Sequence, residues 1–158
     1  MRKPVSLLLL LALLGLLLSG CAAKNPAPQT DAVPVPLSEL AQTALSDRDQ
    51  LVQLYRDDLT DVIGIEKSDY TESVYLGTED LSGREVIVLR AADADAAGRI
   101  EERLGNYLLQ RQKETRNYLP EAYQLLSGAK VSRSGLTVAL IVGEHAEEET
   151  AAFLKGNP

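Results

Sequence analysis

The only cysteine of the chain, Cys21, ends an N-terminal segment that is built differently from the rest of the sequence. Two basic residues precede an uncharged apolar run over residues 5–18, and Ser19 and Gly20 follow it. A positive start, a short apolar run and small residues before a cleavage site are typical of a secretory signal. A single cysteine cannot form an intramolecular disulfide, so the folded part has to be held together by a hydrophobic core.

The four residues Leu18, Ser19, Gly20 and Cys21 form a lipobox, and the segment therefore resembles the signals of bacterial lipoproteins. The resemblance implies that Cys21 receives a diacylglycerol thioether and that its new amino terminus is acylated after cleavage. A transmembrane anchor would need ~20 apolar residues, more than this run provides. An ordinary signal would favour an A-x-A-like site, which the two alanines after Cys21 match less well. We therefore expect a lipid anchor in the cell membrane, with the protein on the extracytoplasmic side.

The lipobox and the composition that follows it predict three parts in the chain. Residues 1–20 are predicted to be the lipoprotein signal peptide, and residues 21–36 a disordered tether that begins at the acylated cysteine. The tether has four prolines and almost no large apolar side chain, a composition typical of extended linkers. Residues 37–158 are enough for one α+β domain with its own core.

The charge of the mature chain limits its partners. Removal of Arg2 and Lys3 with the signal leaves 14 basic against 23 acidic side chains, a net charge of −9. Nucleic-acid binding needs clustered lysine and arginine side chains that contact the phosphates. Attraction to anionic lipid also needs clustered basic side chains. We therefore expect no nucleic-acid partner, and we expect the N-terminal lipid alone to hold the protein on the membrane. The acidity is interpreted as a solubility feature.

Two short helices are predicted at the start of the domain. Apolar residues recur on one helical stripe over residues 37–45. Ser46 and Asp49 are interpreted as the cap of a second helix. The apolar side chains assigned to that second helix are Leu51, Leu54, Tyr55 and Leu59.

Two units of a hairpin followed by a helix come next. Residues 70–78 and 85–90 predict the first hairpin, and Asp93 is predicted to cap a long helix through residue 117. A short helical turn over residues 121–126 follows the break at Pro120. The second unit comprises a strand at Val131, a turn at Ser134 and Gly135, an apolar strand over 136–142 and a helix over 144–154.

This order predicts an α+β fold. The expected architecture is a two-layer sandwich, in which a four-stranded, mainly antiparallel sheet of ββαββα order carries helices on one face and follows short N-terminal helices. The alternative is a three-layer arrangement in which the N-terminal helices cover the second face. The apolar run over residues 136–142 suits both, because such a strand is buried on both faces or covered by helices on one.

Four features carry a further resemblance over about two-thirds of the chain. They are the lipobox with its tether, the hairpin leading into EVIVLRA, the segment YLPEAY at residues 118–123, and the apolar strand that follows Gly135 with its closing helix. The chain resembles an uncharacterised family of extracytoplasmic lipoproteins from Gram-positive, clostridia-like bacteria, catalogued as a domain of unknown function. The resemblance implies a fold and a location, and it transfers no catalytic residue.

The residues that carry enzyme chemistry are sparse. The only histidine, His145, lies among glutamates and is interpreted as a solvated surface residue rather than as a metal ligand or a base. No serine lies in a G-x-S-x-G elbow, and no glycine cluster forms a phosphate or dinucleotide loop. The paired carboxylates are interpreted as solvating and capping groups, and no calcium loop is present. We expect no catalytic residue, no metal and no cofactor.

Two tyrosines near the end of the long helix are the candidate interaction surface. Tyr118 and Tyr123 are of a type that buries a ring at an interface while its hydroxyl stays in water; the alternative assigns them to the edges of the core. The expected function is a non-enzymatic, membrane-anchored domain that binds an envelope protein or peptide. The alternative is a small envelope hydrolase or solute-binding subunit, which needs a pocket with converging carboxylates or His145.

Overall fold

A five-stranded antiparallel sheet forms the centre of the computed structural model, which describes residues 34–54 and 57–155. Strands β1 to β5 are Val52–Gln53, Tyr70–Gly77, Glu85–Ala91, Val131–Ser134 and Thr137–Val142. They lie in the order β1-β2-β3-β5-β4, and each neighbouring pair is antiparallel. The two most apolar strands, β3 and β5, lie at the centre, where every residue of β5 is buried.

In the described part of the chain, five α-helices accompany the sheet. Helices α1 to α5 are Leu37–Ala44, Asp57–Asp61, Ala94–Thr115, Pro120–Gly128 and Ala146–Lys155. The long helix α3 begins as predicted, because the Asp93 carboxylate accepts a hydrogen bond from the backbone nitrogen of Ala96 at 2.7 Å. Helix α4 begins at Pro120, whose fixed φ suits a first helical turn. Within the described ranges, no helix is both long and apolar enough to cross a membrane.

Helices cover both faces of the sheet. Side chains alternate along each strand, so one set of β3 and β5 residues points to each face. On the first face, α3 packs over the sheet with contributions from α2 and α4, and the buried residues include Leu59, Ile87, Leu89, Ile100, Leu104, Leu126 and Leu140. On the second face, α1 and α5 cover the sheet, and the buried residues include Leu37, Ala41, Val86, Val88, Ile141 and Phe153.

The predicted α+β class is therefore confirmed, and its finer form needs correction. A four-stranded sheet with helices on one face is wrong, because β1 adds a fifth strand and both faces are covered. The three-layer alternative describes the fold better, although only α1 of the N-terminal helices covers the second face. Helix α2 contributes its Leu59 to the first face instead.

The predicted second N-terminal helix is wrong in its start and its extent, because it begins only at Asp57 and keeps Leu59 alone of the described residues assigned to it. Residues 48–50 form a single 3-10 turn, and the next residues pair with β2 as strand β1. The backbone nitrogen of Leu54 donates to the Tyr75 carbonyl at 3.0 Å, and a Cβ on Gly77 would come within 2.7 Å of Leu54 Cδ1. Pairing at the free edge of β2 satisfies backbone groups that a short helix would leave to solvent. Tyr55 lies outside the described residues.

The N-terminal end of the described domain is fixed at one end of the sheet. The carbonyl of Val35 accepts a hydrogen bond from Arg90 Nη2 at 2.8 Å, and the backbone nitrogen of Leu37 donates to the Glu72 carboxylate at 2.9 Å. Both contacts lie where β2 begins and β3 ends. Because the seven residues of β3 span about 20 Å, the β2–β3 loop lies at the opposite end of the sheet.

Candidate functional site

Three segments of the chain meet at the end of the sheet where β2 turns into β3. They are the β2–β3 loop over residues 78–84, the α3–α4 connection with the start of α4, and the residues that follow β5. The strand register brings them together, because Glu85 at the start of β3 pairs with Gly77 at the end of β2 and with Val142 at the end of β5. This end of the sheet therefore collects loops from distant parts of the sequence.

The β2–β3 loop is fixed by its own contacts. Asp80 accepts a hydrogen bond from the backbone nitrogen of Ser82 at 3.0 Å, and the hydroxyls of Thr78 and Ser82 are 2.9 Å apart. Gly83 has a φ of 77°, in the left-handed region that favours glycine, and a Cβ there would lie 3.1 Å from Ala122 Cβ. The loop therefore packs closely against α4.

Two adjoining cavities of about 460 and 440 Å³ open between this loop and α4. Asp80, Ser82 and Glu121 line both of them. The first is also lined by Leu81, Tyr118, Leu119, Pro120 and Ala122, and the second by Arg84, Gln124, Leu125 and Glu144. We call the pair the hairpin-end groove. Each cavity falls in the range of roughly 300–1,000 Å³ that is usual for ligand sites.

Two large apolar side chains of the hairpin-end groove are left in solvent. Leu81 is 74% exposed and Tyr118 is 83% exposed, and both line the first cavity. Exposed apolar side chains beside a concave surface are typical of interaction sites. Of the two tyrosines predicted to form a surface, Tyr118 lies in this groove, whereas Tyr123 is half-buried and lines neither cavity. The structure does not bring the two together in one site.

The charged side chains of the groove are mostly carboxylates. Asp80, Glu121 and Glu144 line it, and none of the three forms an ion pair with another described residue. Among the described residues, the one guanidinium in the lining is that of Arg84, and it forms an ion pair with Asp47 outside the groove. Hydrogen bonds from Ser82 hold the pKa of the Asp80 carboxyl below its ordinary value, so this group stays ionised.

A buried polar cluster lies just inside the same end of the sheet. Glu85, the first residue of β3, is only 3% exposed. The hydroxyl of Tyr107 on α3 donates to Glu85 Oε1 at 2.8 Å. Arg111, one turn further along α3, donates from Nη1 to the Tyr107 hydroxyl at 2.8 Å, and its Nη1 lies 3.7 Å from Glu85 Oε2. The cluster thus joins α3 to the start of β3.

Burial is the largest influence on the pKa of the carboxyl and of the tyrosine hydroxyls in and beside this cluster. It raises the pKa of the Glu85 carboxyl, although the hydrogen bond from Tyr107 and the charge of Arg111 act in the opposite direction. Burial and the nearby carboxylate also raise the pKa of the hydroxyls of Tyr75 and Tyr107. Because Glu85 lines neither cavity of the hairpin-end groove, we interpret the cluster as a structural link rather than as a reacting group.

Sequence reasoning missed both the buried cluster and the role of Leu81. A signal for the cluster does exist, because Glu85 lies on the same strand face as the apolar Ile87 and Leu89. Tyr107 and Arg111 are four residues apart, which is the spacing of one helical face. Leu81 gives no such signal, because a single leucine in a polar loop has no periodicity.

The remaining sequence candidates take no part in the groove. His145 is exposed, as interpreted, although it borders a small cavity of about 20 Å³ on another side of Arg84. In the part of the chain that the structure describes, no three histidine, cysteine, aspartate or glutamate side chains are grouped to hold a metal ion. The predicted lipidation site, Cys21, and its lipobox residues Leu18, Ser19 and Gly20 lie outside the described residues.

Comparison with known families gives a match over most of the domain. The family model described as "Domain of unknown function (DUF4358)" matches residues 44–143, a span that includes β1 to β5 but ends before α5. The match covers more than half of the chain. No curated protein and no solved structure matches the chain.

Proposed function

Since the chain belongs to the DUF4358 family of domains of unknown function, we propose a role from its own residues: a lipid-anchored, non-enzymatic binding domain of the cell envelope. The observation that carries this proposal is the hairpin-end groove, where Leu81 and Tyr118 are exposed beside a concave surface. The proposed partner is an envelope protein or peptide, and the proposed location is the extracytoplasmic side of a Gram-positive cell membrane.

The anchoring part of the proposal is supported by the N-terminal sequence. A positively charged start, a short apolar run and the lipobox before Cys21 favour acylation of that cysteine. Two or three acyl chains would hold the protein stably, because each buried methylene contributes ~0.8 kcal/mol and one chain alone binds only marginally.

The place of the groove in the fold supports the binding part. The domain is joined to its N-terminal segment at Val35, beside Arg90, whereas the groove lies at the other end of β3. A domain attached in this way carries its groove on the end away from the attachment. The first described residues of the chain therefore leave the groove open to a partner.

The hydrolase alternative receives less support from the groove. A general acid at neutral pH needs a raised pKa, whereas the pKa of Asp80 is lowered by its hydrogen bonds from Ser82. The carboxyl whose pKa is raised, Glu85, lies in the buried cluster outside both cavities. The Asp80 carboxylate therefore fits binding better than proton transfer.

The anchoring part is tested by replacing the cysteine in the full-length chain. In Cys21→Ala, we expect incorporation of a labelled fatty acid to disappear and the protein to leave the membrane fraction. Cys21→Ser is a second test variant. It retains a polar side chain of similar size and should also lose the lipid. Persistent labelling of Cys21→Ala would contradict the lipid anchor.

The binding part is tested by capture from solubilised membranes with the full-length, acylated chain as bait. We expect a partner that is retained by the wild type and lost with Leu81→Ser or Tyr118→Ala. Leu109→Ser is the control, because Leu109 is also an exposed leucine, at 56%, but lies on α3 outside the groove. A partner retained equally by all four proteins would show that the groove is not the binding surface.

A further inference from the structure

We infer that the hairpin-end groove binds a peptide segment that carries lysine or arginine next to a large apolar side chain. The inference rests on the proposed binding function and specifies the chemistry of the partner. Two independent properties of the groove lead to this ligand: its exposed apolar side chains, and its carboxylates, which form no ion pair with another described residue.

The apolar side chains define one half of the ligand. Leu81 and Tyr118 are 74% and 83% exposed and line the same cavity, in which Leu119 and Pro120 add further apolar surface. An aliphatic or aromatic side chain placed between them would remove this surface from water, which is the main favourable contribution to association. A purely polar ligand would leave both side chains in solvent.

The carboxylates define the other half. Asp80 and Glu121 line both cavities, and Glu144 lines the second. The positive end of α4 offsets part of the charge of Glu121, which lies in the first turn of that helix. The Arg84 guanidinium is held by Asp47 and by Gln50, whose side-chain oxygen accepts a hydrogen bond from Nη1 at 2.9 Å. The groove therefore keeps a surplus of negative charge, which attracts a cation.

The same arrangement disfavours other ligand classes. Phosphate-bearing ligands and acidic peptides would meet the carboxylates of Asp80 and Glu144, and the mature chain as a whole has a net charge of −9. A small cation alone would satisfy the carboxylates but would not cover Leu81 and Tyr118. In an extended segment, side chains two residues apart lie on the same side and about 7 Å from each other, so a basic and an apolar side chain at that spacing can enter the two adjoining cavities.

The β2–β3 loop of the groove is already ordered without a ligand. The hydrogen bonds of Asp80, Ser82 and Thr78 hold the β2–β3 loop, and Gly83 sets it against Ala122 of α4. A loop that is already ordered loses less conformational entropy when a partner binds. The peptide is therefore expected to bind without rearrangement of the loop.

The test measures binding of a fluorescent heptapeptide with two lysines and two leucines to the full-length, acylated chain in non-ionic micelles. Empty micelles report adsorption of the peptide to the detergent. Peptides of the same length in which the lysines are replaced by glutamates, or the leucines by serines, report the two halves of the ligand. Spermidine reports a small cationic solute.

We expect the Lys/Leu peptide to bind most tightly and to bind more weakly at high salt. Tyr118→Ala should weaken binding about fivefold or more, as truncation of an interface aromatic commonly does. Glu144→Gln should weaken binding about two- to fivefold, the usual range for one exposed charge pair. The controls Leu109→Ser and Glu102→Gln, which change exposed residues of α3, should leave binding unchanged.

Four results would overturn the inference. Equal binding of the Lys/Ser peptide, or displacement of the Lys/Leu peptide by spermidine, would identify a small-cation site. Equal binding to Tyr118→Ala and the wild type would place the peptide elsewhere. Absence of binding would exclude a basic, apolar peptide as the ligand, whereas capture of a membrane partner that depends on Leu81 would still support the proposed function.

Discussion

The buried contact between α3 and β3 makes a quantitative prediction for Tyr107→Phe. The substitution keeps the ring in place and removes only the hydroxyl that donates to Glu85 at 2.8 Å and accepts from Arg111 at 2.8 Å. Glu85 is 3% exposed, so water cannot replace the lost donor without opening the structure. Arg111 is partly exposed and can regain hydrogen bonds from solvent.

The expected cost follows from the hydrogen bond that the buried Glu85 carboxyl loses. A buried polar group that loses its hydrogen bond destabilises a protein by about 1–3 kcal/mol. For a domain of this size, a loss of about 2 kcal/mol lowers the Tm by about 8 °C. The domain should remain folded at room temperature, because typical domains have a free energy of unfolding of about 5–15 kcal/mol.

The assay is thermal unfolding of the full-length chain in non-ionic micelles, followed by far-ultraviolet circular dichroism. Tyr118→Phe is the matched control, because Tyr118 is 83% exposed and its change should stay within about 0.5 kcal/mol. The double variant Glu85→Leu/Tyr107→Phe should recover part of the stability, since it also removes the buried carboxyl that has lost its hydrogen bond. Equal Tm values for Tyr107→Phe and Tyr118→Phe would refute the reasoning.

Three further predictions concern stability. Glu85→Gln should raise the Tm above that of the wild type, and the difference should increase as the pH rises above 4.5, the ordinary pKa of this carboxyl. Burial raises the pKa of folded Glu85, so the wild type loses the stability from its bound proton as the pH passes through that raised value. Thermal scans at several pH values check this, and a difference in Tm that does not change with pH would contradict it. Gly83→Ala should destabilise the domain by about 1–2 kcal/mol through its positive φ, whereas Gly105→Ala, inside α3 with open space around it, should stabilise it by about 0.5–1 kcal/mol; Tm shifts of the same sign would argue against this account. Asp93→Ala should cost about 1 kcal/mol by removing the cap of α3, and an unchanged Tm would show that the cap contributes nothing.

Local patterns predicted the elements of the domain well. The spacing of apolar residues is sufficient for α1, for the long α3 and for the strands β2, β3 and β5, because each has a strong period of its own. Asp93 acts as a cap through its immediate neighbours, and Pro120 begins a helix through its fixed φ. Such features need no information from distant parts of the chain.

The predictions failed where distant residues decide the outcome. The side chain of Leu54 suits a helix, yet it lies in the space left by Gly77, and the backbone nitrogen of Leu54 donates to the Tyr75 carbonyl. Both partners are more than 20 residues away in the sequence. The covering of the second face also depends on how α1 and α5 return to the sheet. In the same way, Leu81 and Tyr118 line one cavity only because the β2–β3 pairing places the β2–β3 loop beside α4.

Covalent capture at the groove tests the central claim most directly, because it reports contact in the native membrane. A photo-crosslinking amino acid is placed at Leu81 of the full-length chain, and the matched position is Leu109 on α3. We predict one dominant adduct from Leu81 that disappears with Tyr118→Ala and is absent from Leu109. The same adducts from both positions, or an adduct at Leu81 that Tyr118→Ala leaves unchanged, would contradict a binding role for the hairpin-end groove.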